Sequence, residues 1–193
     1  MYSDRKLLEK ELQNCLFIIK QRTGVSIPVT TFQFQETNIM KKKWTVNGEY
    51  NPLSTVISLR SSLGSLYDYR QKEDREKCKK ILCNIMMDYK LVDEISDVEV
   101  KMYIQNTNNY SVSEFKRVVY HECGHYIHDK YFHNKPMRLP TEDSREYAKK
   151  NAKENFAVAF EEYMTDKLDK SSKRYQKMED IIYELRHSKG ALV

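Results

Sequence analysis

No stretch of this sequence is apolar for long enough to cross a bilayer. Even the run Cys15 to Ile19 falls far short of the roughly 20 residues that a membrane helix needs. The N-terminus, Met1-Tyr2-Ser3-Asp4-Arg5-Lys6-Leu7, lacks the basic-then-apolar order of a secretory signal, so the expected location is the cytoplasm, or outside it by a route that uses no such signal. Disulfides are not expected either. The four cysteines, Cys15, Cys78, Cys83 and Cys123, form no Cys-x-x-Cys pair, are too sparse for a disulfide scaffold and read as reduced, mostly buried thiols. Internal repeats and low-complexity tracts are absent. So is a concentrated charge: the formal +5 is spread over short runs such as Lys41-Lys42-Lys43 and Lys149-Lys150 with acidic residues between them. That pattern describes a solvated surface and argues against nucleic acid as a partner.

What is present is enough for one domain spanning 1–193, since 193 residues that are 40% hydrophobic build one good core but hardly two. Leu8, Leu12, Cys15, Leu16 and Ile19 recur at three- and four-residue intervals and predict a helix over Ser3 to Arg22, ended by Thr23-Gly24. Between Val25 and Arg60 the period changes to two. Ile27, Val29 and Thr31, then Trp44 and Val46 before the Asn47-Gly48 turn, then Thr55, Ile57 and Leu59, predict strands with a hairpin. A second helix is expected within Gln71 to Leu91. Alternation of Val98, Val100, Met102 and Ile104 predicts a strand over Asp97 to Ile104. Ser111 or Ser113 can cap a helix running to about Lys130, and further helices are expected from about Asp143 to Leu168 and from Lys173 to His187. The expected class is α+β: a small, mostly antiparallel sheet beside an active-site helix and a further long helix.

His121-Glu122-Cys123-Gly124-His125 fits His-Glu-x-x-His. On a helix, residues four apart lie on one face, so two imidazoles can share one ion while the glutamate handles a water beside it. Gly124 supports this, because glycine costs up to about 1 kcal/mol inside a helix and needs a reason such as close packing. Catalytic zinc takes three protein ligands and keeps one position open. His128, Glu154 and Glu161 are the candidates for the third. Tyr147, Glu154, Val158 and Glu161 would share one face of the helix expected over Asp143 to Leu168, opposite a packing set of Ala148, Ala152, Phe156, Ala159, Phe160 and Tyr163. Cys123 is a poor nucleophile candidate, since it points away from both histidines.

At these residues the sequence resembles the family of anthrax lethal factor and the clostridial Pro-Pro endopeptidases, zinc peptidases of the gluzincin type with a zincin-like fold. Glu154-Asn155-Phe156-Ala157 matches the family's Glu-x-Phe-Ala pattern, and Tyr147 lies seven residues before Glu154. The resemblance covers mainly Val118 to Met164, with a faint similarity at Ser54-Thr55-Val56. It implies a zinc ion (Zn2+) held by His121, His125 and Glu154, with Glu122 as catalytic base and Tyr147 as catalytic tyrosine. One position departs. Where the family has a carboxylate four residues after the ligand, orienting a zinc-bound histidine, this chain has Val158, and Glu161 or Asp129 could serve instead.

The expected activity is therefore a zinc-dependent metalloendopeptidase acting on a peptide or protein substrate, which would lie as an extended strand against a sheet edge over Leu53 to Arg60. Two other readings use the same residues. One is a mobile-element regulatory metalloprotease that cleaves a repressor, and the other is a non-catalytic metal-binding interaction domain.

Overall fold

The computed structural model describes residues 2–35, 47–61, 110–137, 139–141 and 145–187, with a few positions between 72 and 101. The class is α+β, a three-stranded sheet beside four helices among the described residues. Helix α1 (Tyr2–Thr23) buries Leu8, Leu12, Cys15 and Ile19, the stripe its spacing predicts. It stops where expected: Thr23 Oγ1 donates to the Ile19 carbonyl at 2.7 Å and accepts from the Val25 N–H at 3.0 Å.

Beyond α1 several expectations change. Ile27 to Thr31 is not a strand. Val29–Thr31 forms a 3-10 turn after Pro28, whose missing N–H suits a turn better than a ladder. The strands are β1 (Phe32–Gln35), β2 (Gly48–Asn51) and β3 (Val56–Arg60), in the order β1-β3-β2. The sheet is mixed, not mostly antiparallel: β1 runs parallel to β3, pairing Phe32 with Ile57, and β2 runs antiparallel to it, pairing Tyr50 with Ile57. A hairpin exists, but its turn is Pro52 to Thr55 rather than Asn47-Gly48. Asn51 Oδ1 accepts from the Leu53 and Ser54 N–H groups, and Thr55 takes a left-handed φ of 55°.

Both edges of β3 are therefore paired, and no substrate strand can add to it. The outer edge of β2 is unpaired among the described strands. The Asn47 carbonyl accepts from the Arg60 N–H at 3.1 Å, so with a period of two it is Gly48 and Tyr50 whose backbone groups face away from β3.

The strand expected over Asp97 to Ile104 is overturned at its described positions, where Asp97, Val98, Val100 and Lys101 are helical. Val100 donates to the Ser96 carbonyl at 3.1 Å, a helical four-residue step. Val98 is 67% exposed and Val100 fully buried, so the two do not share the face that alternation assigned them. Helical residues also occur at Lys72, Glu73, Arg75, Glu76, Lys79 and Lys80. The expected strand at Trp44 and Val46 and the apolar face of the second helix lie outside the described residues.

Helix α2 (Val112–Phe132) opens on Ser111, whose side chain accepts from the Glu114 N–H, and closes on His133 in the left-handed region. It is sandwiched. Phe115, Val119, Cys123 and Ile127 enter the core with α1, while α3 (Ala152–Met164) packs along another face. Phe156 and Phe160 of α3 are fully buried, and each such side chain contributes roughly 1.5–3 kcal/mol. Helix α4 (Lys173–His187) adds Met178, Ile181, Ile182 and Leu185 to the same cluster. Its buried Arg174 donates to the Pro140 carbonyl and to Asn155 Oδ1, both at 2.5 Å, which ties the loop before α3 to α4. No helix among the described residues is long and apolar enough to cross a membrane.

Candidate metal centre

Two helices and one strand build the site. Helix α2 supplies His121, Glu122 and His125, α3 supplies Glu154, and β2 passes alongside. The approach of α3 to α2 depends on Gly124, where a Cβ would stand 2.9 Å from the Ala157 Cα. The approach of β2 depends on Gly48, where a Cβ would stand 2.4 Å from Val118 Cγ1 and 3.1 Å from Glu122 Cγ.

His121 Nε2 and His125 Nε2 lie 3.2 and 3.4 Å from the same atom, Glu154 Oε2. That oxygen is buried without a partner in hydrogen-bonding geometry. One donor atom from each of the three residues lies within 4.8 Å of the others. Ligands 2.0–2.1 Å from a tetrahedral ion stand about 3.3 Å apart, so separations of 3.2 and 3.4 Å match the spacing of neighbouring ligands around one small cation. Two imidazoles and a carboxylate form a donor set that fits zinc. The three residues can hold a metal ion.

The helix expected from about Asp143 starts, among the described residues, at Ala152. Asn151, extended at φ −166°, caps α3 through a bond from the Glu154 N–H to its side chain. Before it, Glu146–Lys149 forms a separate 3-10 turn. Tyr147 is therefore not two turns upstream of Glu154 on one helix. The turn nonetheless brings it to the site: its ring centroid lies 5.7 Å from that of His121, and the residue is 44% exposed. Helix α3 also ends early, at Met164, where Thr165 caps it.

The alternative third ligands are placed elsewhere. His128 is fully buried, stacked on Phe156 at 4.7 Å, and donates Nε2–H to the Lys135 carbonyl at 2.8 Å. Glu161 receives Arg117 Nε at 2.8 Å and Arg145 Nη2 at 2.6 Å, and its Oε2 lies 3.6 Å from His121 Nδ1. It stands where a group orienting the His121 ring would stand, on the ring nitrogen opposite the Glu154 side. Val158 is buried in the core, and Asp129 is taken by the Tyr50 hydroxyl at 2.6 Å and by Asn134.

Arg117, Arg145, Gly48 and Tyr50 escape sequence reasoning. Glu114 and Arg117 do stand three apart, a spacing that marks a helix-surface pair, and they bond at 2.7 Å. Nothing in the order of residues links Arg145 to Glu161. Together Arg117, Val118, Gly48, Arg145 and Tyr147 bound a cleft of about 220 Å³ that opens onto His121 and Glu122.

Charge is distributed in keeping with this geometry. Burial pushes the Glu122 carboxyl up. Burial would do the same to Glu154, but the His121 and His125 imidazoles beside it outweigh burial and hold that carboxyl well below the usual range. Glu161, likewise raised by burial and lowered more by His121, Arg145 and Arg117, settles at about 2. Burial lowers His121, yet Glu154, Glu161 and the charge of Glu122 raise it to about 9. Tyr147 is pushed up to about 12 by burial and by the charges of Glu154 and Glu122, so its hydroxyl keeps its proton at neutral pH.

A pH dependence follows for the metal-free protein. The raised pKa of His121 gives stability that is complete below its ordinary 6.5 and is lost as pH rises through about 9. Glu161, depressed from 4.5 to about 2, gives stability present above 4.5 and lost as pH falls through 2. Melting temperature in the presence of chelator should therefore peak between pH 4.5 and 6.5. It should fall by the equivalent of about 2–3 kcal/mol toward pH 9. With added zinc the alkaline fall should vanish, because the ion binds the neutral imidazoles. Equal alkaline loss with and without zinc would show that no ion binds between these histidines.

Comparison with protein-family models, with curated proteins and with solved structures finds no match.

Proposed function

We propose that this protein is a zinc-dependent endopeptidase of the kind that anthrax lethal factor and the Pro-Pro endopeptidases resemble. The observation that carries the reading is the convergence of His121 Nε2 and His125 Nε2 on Glu154 Oε2 at 3.2 and 3.4 Å, with Glu122 on the next position of the same helix. Bound zinc supplies Lewis acidity, making water nucleophilic near neutral pH and polarising a carbonyl. Glu122 is 7% exposed and its carboxyl is raised by burial, so it can take a proton from the attacking water and return it to the leaving amine. Glu161, held by Arg117 and Arg145, fixes the ring of His121. A substrate in extended form can add to the free edge of β2 through the Gly48 backbone groups, which face the cleft floor. Around one zinc per chain together with a defined cleavage motif in a peptide-library digest is the expected result. A protein that takes up no metal, or takes it up and cuts nothing, would end this reading.

Tyr147 is assigned the hydrogen bond to the oxyanion that develops on the attacked carbonyl. Its hydroxyl remains protonated to about pH 12, and its 44% exposure leaves little packing to lose. Tyr147→Phe should lower kcat by roughly 10²–10³-fold, with KM, zinc content and melting temperature nearly unchanged. A kcat close to that of the parent enzyme would remove the tyrosine from the mechanism.

A further inference from the structure

The cleft has two unlike walls. One is the outer edge of β2, a neutral backbone ladder. The other is formed by Arg145 and Tyr147, the latter beside His121, at the start of the segment from Arg145 to Lys153 that leads into Glu154. That segment holds Arg145, Lys149, Lys150 and Lys153 against a single acid, Glu146. Two of these cations are committed. Arg145 bridges Glu161 and Glu162, and Lys149 pairs with Glu146 at 2.6 Å. Lys150 and Lys153 are exposed and, among the described residues, make no ion pair. The Lys150 ammonium lies 4.1 Å from the Tyr147 ring centroid, and that ring lies 5.7 Å from the His121 ring. Two ring-scale steps thus separate a solvent-facing charge from the metal site, comparable to the screening length of about 8–10 Å at moderate salt.

We infer that this charge selects the substrate: the peptide that lies between β2 and Tyr147 carries acidic side chains, which Lys150 beside the Tyr147 ring attracts, with Lys153 three residues further on adding to the same positive field. The inference rests on the peptidase reading and adds a substrate class to it. The physical basis is complementarity across a narrow cleft, where rim charges raise the rate of productive encounter while leaving the chemical step alone. The preference should therefore appear in kcat/KM and not in kcat. It should also shrink as ionic strength rises from about 0.01 M to about 0.1 M and the screening length falls from about 30 Å to about 10 Å.

The test is digestion of a proteome-derived peptide library by the zinc-loaded protein, with Asp and Glu counted against Lys and Arg around each cut. Acidic residues should be favoured by at least about tenfold in kcat/KM on matched peptides taken from the library. Lys150→Glu/Lys153→Glu should abolish or invert the preference, while Lys177→Glu, on the exposed face of α4, should preserve it. Absence of acidic preference, or its persistence unchanged in the double variant, overturns the inference. Failure of the peptidase reading looks different, because no cleavage that depends on Glu122 would then occur. In that event fluorescence anisotropy of oligoglutamate and oligolysine decapeptides on the zinc-loaded Glu122→Ala protein still decides: tighter oligoglutamate binding that the double variant loses upholds the selection by charge, and equal binding overturns it.

Discussion

Glu122→Ala is expected to remove peptide hydrolysis, lowering kcat by roughly 10²–10⁴-fold, while the protein still binds about one zinc per chain. The side chain lies with Val118 on the α2 face that meets Gly48, beside the candidate metal ligands but not among them. Its job is to move a proton, so its loss should register in turnover and not in metal content. Glu122→Gln, which preserves volume in this buried place, should behave alike and separates proton chemistry from any cavity left by alanine. Turnover that survives in a metal-full Glu122→Ala protein would mean that another group performs the proton transfer.

Glu154→Ala should have the opposite signature. Two imidazoles left without their carboxylate cannot complete a three-ligand site, and zinc affinity should fall by more than the 10–100-fold that loss of a supporting group costs. Glu161→Ala should fall within that 10–100-fold range, since it frees the His121 ring and strands Arg117 and Arg145 without removing a ligand. Competition against a zinc chelator ranks the two variants directly. Should Glu161→Ala lose the metal and Glu154→Ala retain it, the third ligand would be Glu161.

The helical parts of this chain were legible because each has one wet face. In α1 and α4 the apolar stripe recurs at helical spacing, and both appear within a residue or two of their expected limits. The pattern misled where no wet face exists or where a cap intervened. Helix α3 is buried at nine of its 13 positions, so periodicity gave no signal for its start, and the Asn151 cap lay inside what looked like a continuous face. The expected strand at Asp97 shows the reverse error, in which four alternating apolar residues had too little length to separate a strand from a helical turn.

Within the site, the sequence reveals the candidate ligands and hides their supports. His121, Glu122 and His125 belong to one helix, and their spacing alone places them on neighbouring faces. Arg145 reaches Glu161 across 16 positions of chain that bend through a 3-10 turn, and Tyr50 reaches Asp129 from a strand 79 positions away. Such pairs are products of tertiary packing, with no local spacing to reveal them. Tyr147 is instructive for another reason. Its position beside His121 agrees with the expectation, but the path of the chain that delivers it is a turn and a cap, not two turns of one helix.

Gly124 and Ala157 set a limit of a different sort, on which ions the centre can accept. Because no methyl group fits between the two backbones, α2 and α3 are already at closest approach, and the buried phenylalanines of α3 oppose their separation. The gap between the imidazole pair and Glu154 is thereby a fixed bore. Calcium, which asks for six to eight oxygens at 2.3–2.6 Å, would need both a wider bore and a different set of donors. Zinc and the neighbouring first-row cations would suit this spacing and its nitrogen donors, so in the proposed centre selectivity among ions would be set by a backbone contact that touches no ion.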